Sequence, residues 1–195
     1  MRYPPAIRGF AAAALVCLGV LAVIGTPVQS RADQNDPRLG EFFEILLNAP
    51  LMSPQAQLAQ AQIWTIWLDA PSASGRVLME QGLAQMQSGA IDDAVETFDA
   101  LISLEPRFAE AWNKRATVNF MAGNYADAMA DIEETLSLEP RHFGAQSGKG
   151  LVLDAMGEKE AALEALEKAL RINPHMPQIL LLVEDLKKNL RGQQL

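Results

Sequence analysis

Beyond residue 32 the chain has no cysteine; Cys17 is the only one in 195 residues. Disulfides, a thiolate nucleophile and a cysteine metal site are therefore excluded from residues 33–195, and stability there must come from packing. Histidine is nearly as scarce. His142 and His175 are the only two, and neither has a carboxylate or cysteine at metal-ligand spacing, so no metal site is expected. Each reads as a turn residue or a partner contact. The G-x-S-x-G elbow of a serine nucleophile is missing. GAQSGKG from Gly144 ends like a phosphate loop but lacks the full pattern, and no strand precedes it. Its glycines read as small positions of a helix. Carboxylate pairs such as Asp92-Asp93 and Glu133-Glu134 read as solvated helix faces. Neither catalytic chemistry nor a cofactor is expected, and the chain does not read as an enzyme.

Positive charge is also short, at 16 Lys and Arg against 24 Asp and Glu. Such a surface repels nucleic acid and anionic membrane and favours a basic or neutral partner. After residue 32 no apolar run is long enough to span a bilayer. Before it there is one candidate. GFAAAALVCLGVLAVIG runs from Gly9 to Gly25, at the short end for a span, and is preceded by Arg2 and Arg8 without an acid. The small, polar stretch TPVQSRADQ follows. This is the order of a secretory signal peptide over residues 1–32, with cleavage fitting after Ser30 or Ala32. An uncleaved anchor is the alternative. The expected location is periplasmic, or the inner membrane with the chain facing the periplasm. Removal of Arg2, Arg8 and Arg31 leaves 13 basic and 24 acidic residues, a net charge of −11.

What the chain does have is repetition. SLEPRF begins at Ser103 and SLEPRH at Ser137, and LRINPHM brings a third proline in step with theirs. Pro106, Pro140 and Pro174 are evenly spaced, with a 34-residue period. Aligned on them, further columns recur. Gly89, Gly123 and Gly157 form one, and Ala94, Ala128 and Ala162 another. A small column holds Gly82, Ala116 and Gly150, and a bulky column holds Phe98, Ile132 and Leu166. Leu104, Leu138 and Ile172 make a fifth. Each unit reads as two helices. A first helix starts at Ala109 and ends at Gly123, where glycine takes the left-handed conformation freely. A second runs from Tyr125 to Leu138 and stops before Pro140. Small Ala116 and Ala128 predict a close crossing, with Trp112, Ile132 and Leu136 around it. One such pair cannot bury its apolar face, so units must stack.

AEAWNKRATVNFMAGNYADAMADIEETLSLEP resembles a tetratricopeptide repeat (TPR), a likeness covering residues 75–176. IWTIWLDAPS, AEAWNKRATV and EPRHFGAQSGKG resemble, more narrowly, a family of exported alphaproteobacterial TPR proteins. The resemblance implies an all-α fold: antiparallel helix hairpins stacked in a right-handed α-solenoid. The expected units are TPR 1 at 75–108, TPR 2 at 109–142 and TPR 3 at 143–176. A degenerate helical pair at 36–71 is expected to cap the start, and a helix at 177–191 to seal the end through Ile179, Leu182, Val183 and Leu186. Ser53 reads as an N-cap ahead of Pro54. Trp64 and Trp67 are expected to pack on the first clear repeat, with a partner contact as the alternative.

The family's groove positions fall here on Arg76, Met79, Leu83 and Met86, then Glu110, Asn113, Thr117 and Phe120, then Gly144, Ser147, Leu151 and Asp154. Some family members grip a C-terminal carboxylate with lysines, asparagines and an arginine. Leu83, Gly144 and Gly148 depart from that pattern, so a tail clamp is not implied. Arg115 occupies a column where the family often has leucine. A buried guanidinium must be paired, and Asp131 on the second helix of the unit is the expected partner. Lys149 holds the same column one unit later but faces Ala165, so it is expected to snorkel outward and offer a contact. The groove candidates are thus Arg76, Met79, Asn113, Thr117, Phe120, Ser147, Lys149 and Leu151. The function these features imply is a scaffold that binds another protein of the envelope, with no small-molecule substrate; the alternative is a self-associating assembly factor.

Overall fold

A computed structural model describes residues 33–192; the candidate signal peptide at 1–32 lies outside the described residues. Nine helices and no strand occur among them: α1 Leu39–Asn48, α2 Pro54–Leu68, α3 Ala73–Ser88, α4 Ile91–Leu104, α5 Ala109–Met121, α6 Tyr125–Leu138, α7 Phe143–Ala155, α8 Lys159–Ile172 and α9 Pro177–Gly192. No helix among the described residues is long and apolar enough to cross a membrane.

The repeating columns explain how α3–α4, α5–α6 and α7–α8 become hairpins. The glycine column sits at φ 77°, 80° and 85° in Gly89, Gly123 and Gly157. After each glycine, the next residue's N–H bonds back over the helix end: Ala90 to Gln85 O, Asn124 to Asn119 O and Glu158 to Leu153 O. These are Schellman closures, which satisfy orphan carbonyls and turn the chain. At the proline column a second turn forms. Phe108 N bonds Glu105 O and His142 N bonds Glu139 O, both at 3.0 Å. Glu105 also accepts from Ser72 N at 3.0 Å, placing a carboxylate at the N-terminus of α3.

Within each hairpin the small column meets the bulky one. A methyl group added at Gly82 would lie 2.6 Å from Phe98 Cζ, and one at Gly150 would overlap Leu166 Cγ. Phe98, Ile132 and Leu166 are all buried, as are Ala94, Ala128 and Ala162. Burying each such large side chain contributes roughly 1.5–3 kcal/mol. Trp112 departs from its expected place. It packs back on Phe98 and Phe108 of the preceding repeat, in one cluster with its own neighbour Ala111, and its indole N–H donates to Pro106 O at 3.0 Å. At the other end α9 buries Val183 and Leu186 against Leu153, Ala165 and Leu166.

The N-terminal pair does not extend the stack as the sequence leads one to expect. Its Leu39, Phe43, Leu46, Ala59, Ile63 and Trp67 form one apolar cluster with Phe143, at the turn between the second and third repeats. α1 touches α8 and α2 touches α5. Only Leu68 and Ala70, at the end of the pair, join the cluster of the first repeat. The cause is shape: Trp67 stacks flat on His142, with centroids 4.1 Å apart, and Trp64 meets Phe143 edge-on at 5.4 Å. Such contacts need a ring at the turn, and the turn before α7 offers two.

Two glycines of α7 separate the packing effect from helix propensity. Gly150→Ala is expected to destabilise by about 1–3 kcal/mol through overpacking. Gly148→Ala meets Ile132 Cδ1 at an ordinary 3.7 Å and is expected to stabilise by up to about 1 kcal/mol. Urea unfolding of both variants checks the sign of each.

Candidate functional site

A groove runs between α5 and α7 on the first-helix face of the stack. Asn113, Thr117 and Phe120 come from α5; Gly144, Ser147, Gly148 and Leu151 come from α7; Ala116, Ile132 and Val152 form its floor. The cavity at its centre measures about 150 Å³. Spacings of three and four residues put each set on one helix face. Asn113 and Ser147 share one repeat column, Thr117 and Leu151 the next, which is why the two helices present matching rows.

The polar groups of this lining are mostly held by their own helices. Thr117 Oγ1 donates to Asn113 O at 2.9 Å and Ser147 Oγ donates to Gly144 O at 2.9 Å. Asn113 Nδ2 donates to Glu110 Oε2 at 3.1 Å. The hydroxyl oxygens keep lone pairs toward the groove, and apolar carbon supplies the rest of the wall. A cavity of this size accommodates one ring or one branched aliphatic side chain; an apolar cavity of about 150 Å³ takes up benzene.

Five of the eight groove candidates therefore share one wall: Asn113, Thr117, Phe120, Ser147 and Leu151. Three lie elsewhere. Met79 is 2% exposed, sealed in the first-repeat core with Ala70 and Phe98, and cannot meet a partner there. Arg76 turns to the α2–α3 link, donating to Ala70 O at 3.1 Å and lying 3.8 Å from Asp69. Lys149 Nζ lies 3.7 Å from Glu133 on α6 and does not line the groove. Arg115 forms a fork with Asp131, Nη2 to Oδ1 at 2.6 Å and Nε to Oδ2 at 3.0 Å, and adds Asp99 of the preceding repeat. Those carboxylates hold its guanidinium well above the ordinary arginine range despite partial burial. Its task is to bind three helices, α4, α5 and α6, on the opposite side of the stack.

One end of the groove carries a polar cluster that spacing in the sequence does not reveal. Glu110 and His142 are both buried, with Glu110 Oε2 2.7 Å from His142 Nε2. His142 Nδ1 accepts from Ala145 N at 3.0 Å, capping α7. Nε2 therefore bears the proton and donates it to the carboxylate. Lys114 Nζ lies 2.8 Å from Glu110 Oε1 and 5.3 Å from the centroid of Trp64. Glu110 thus carries burial, a lysine and a histidine together. Burial pushes its carboxyl up; the Lys114 charge and the His142 hydrogen bond outweigh it and hold the group below the usual carboxylate range. Among the described residues no cluster of three or more His, Cys, Asp and Glu could hold a metal.

Residues 79–136 and 122–177 each match the family profile described as tetratricopeptide repeat. The protein belongs to the tetratricopeptide repeat family. A TPR repeat-containing protein of Rhizobium etli is 39% identical over 100 residues, covering 50% of this chain and 48% of that protein. The chain spans about half the length of that relative. Among solved structures, the Sgt2 TPR domain from Aspergillus fumigatus is similar with a TM-score of 0.61 at 23% identity, over 64% of this chain and 84% of that one. The first TPR domain of Spaghetti (RPAP3), bound to the HSP90 peptide SRMEEVD, gives 0.58 at 21% identity, over 60% and 93%. MamA gives 0.56 at 23%, over 72% and 86%. At these identities the structural likeness is one of fold: the TPR α-solenoid.

The Glu110 carboxyl lies lower in the fold than its ordinary 4.5, so its contribution to stability is present above that value and is lost as pH falls through the folded one. Glu110→Gln is expected to lower stability by about 1–3 kcal/mol at pH 7 and to flatten the loss of stability below pH ~4.5. Urea midpoints from pH 7 to pH 3 for both proteins check this.

Proposed function

We propose that the protein is a non-enzymatic binding module of the bacterial envelope, exported by residues 1–32, which holds a short segment of a partner protein between α5 and α7. The observation that carries this reading is the groove itself: matched rows from two repeats around an apolar cavity, on a fold whose solved neighbours include one with a bound peptide.

Chemistry narrows the partner. The peptide in that neighbour, SRMEEVD, ends in an acid. In this chain each cation near the groove already has an anionic partner: Lys114 has Glu110, Lys149 has Glu133 and Lys159 has Asp154 at 2.6 Å. Gly144 and Gly148 offer no charge. An acidic terminus would have to take a cation from a partner of its own. A neutral or basic segment with one bulky apolar side chain fits the cavity and the net negative charge of the chain. The second reading, self-association, draws on Leu181, which is 73% exposed on α9 at the open end of the stack.

Selection from a random peptide library tests the first reading. Bound peptides are expected to share one apolar anchor, and amidating their C-terminus is expected to leave affinity unchanged. Leu151→Asp and Thr117→Arg should each weaken binding at least tenfold, about 1.4 kcal/mol, while Lys149→Ala should not. Binding that ignores the groove variants, or that needs a free carboxylate, contradicts the proposal. Light scattering at high concentration is expected to show a monomer. Residues 1–32 fused to alkaline phosphatase are expected to give active enzyme outside the cytoplasm; an inactive fusion counts against export.

A further inference from the structure

Stacked helix hairpins touch only their neighbours, so such a stack flexes along its length. One segment of this chain breaks that rule. Gln34 bonds both sides of the first inter-repeat turn, donating to Arg107 O and accepting from Ala109 N at 3.3 Å. At the second turn Trp67 lies on His142. At the third, Gln60 Oε1 accepts from Asn173 Nδ2 at 2.7 Å, and Met52 N donates to His175 Nδ1 at 2.9 Å. His175 Nε2 in turn donates to Leu46 O at 2.8 Å. Residues 33–70 therefore grasp three successive turns at once. A change in the spacing of the repeats must break contacts at one of them.

The same segment reaches the groove. Trp64 lies over Gly144, a groove residue: a Cβ there would sit 2.6 Å from Trp64 Cη2. We infer that residues 33–70 are a tie bar that fixes the splay of α5 and α7, and that Trp64 is a positioning residue closing one end of the groove. The second half rests on the groove reading above; the first needs no ligand. A closed end limits the length of what binds. From Gly144 to Leu151 is about 10 Å of helix at roughly 1.5 Å per residue, room for about three extended residues at roughly 3.3 Å each. The ligand is then a short apolar motif, not a strand running through the whole concave face.

The test uses the full chain with Cys17→Ser and spin labels at Glu96→Cys and Glu164→Cys, exposed positions of α4 and α8 in one column two repeats apart. Pulsed electron resonance is expected to give one narrow distance distribution. Trp67→Ala should at least double its width. So should Gln34→Ala combined with Gln60→Ala, which removes only side-chain hydrogen bonds and keeps the core intact. An unchanged width in a variant that keeps its helical circular dichroism overturns the tie bar. For Trp64, a library peptide is extended by a short flexible tail at either end. The wild type should gain nothing from the extension on the Trp64 side, and Trp64→Ala should gain at least fivefold, with Trp64→Phe restoring the wild-type pattern. No gain in Trp64→Ala overturns the closed end. A wild type that selects no peptide ends the groove reading and the role of Trp64 with it, while the distance measurement still decides the tie bar.

Discussion

The contact between a small residue on one helix and a bulky one on its partner governs this molecule. Gly82 receives Phe98 and Gly150 receives Leu166, and Ala116 stands in the same column opposite Ile132. Each fit brings two helices close enough to share one core, and its recurrence once per repeat makes the hairpins alike. Alike hairpins stack in register. Stacking in register sets α5 beside α7 with their equivalent residues in rows, and those rows are the walls of the groove. The groove thus follows from a packing rule that recurs along the chain.

The N-terminal hairpin adds what a bare stack lacks. It lies along the inter-repeat turns and binds each of them, with aromatic stacking at the middle and hydrogen bonds at both ends. Its tryptophans lie against both partners of a buried carboxylate, Glu110: Trp67 stacks on His142, which donates a proton to it, and Trp64 faces Lys114, which meets its charge. Buried charge is tolerable only when every partner stays in place. The cluster therefore favours one arrangement of α2, α5 and the turn before α7. On the opposite side Arg115 ties α4, α5 and α6 through two aspartates. The middle repeat is held from both sides.

Much of this is legible in the sequence, because periodic columns encode local geometry. Gly123 and Pro140 mark the ends of helices that run where the turn chemistry puts them. Arg115 stands out in a leucine column, with Asp131 one hairpin turn away; Asp99, its second partner, belongs to another repeat and carries no spacing signal. Groove rows at Asn113 and Ser147, or at Thr117 and Leu151, follow from equivalent positions. Met79 occupies the same column as Asn113, yet it is buried, because the chain arriving from Ala70 covers the first repeat. The tie bar is not legible at all. Trp64 and Trp67 at helical spacing announce an apolar face but not its target, and that target, His142 and Phe143, lies two repeats further along the chain. Long-range partners of this kind leave no period to count. The histidines read as loop residues for the same reason.

A hairpin laid along the turns converts three repeats into one unit, and native-state hydrogen exchange measures that directly. The slowest amides of α4, α6 and α8 are expected to open with one common free energy, within about 1 kcal/mol of the global value, and the amides of α1 and α2 with them. A gradient along the stack, with α7 and α8 opening on their own and α1 and α2 exchanging far faster than the rest, would contradict it.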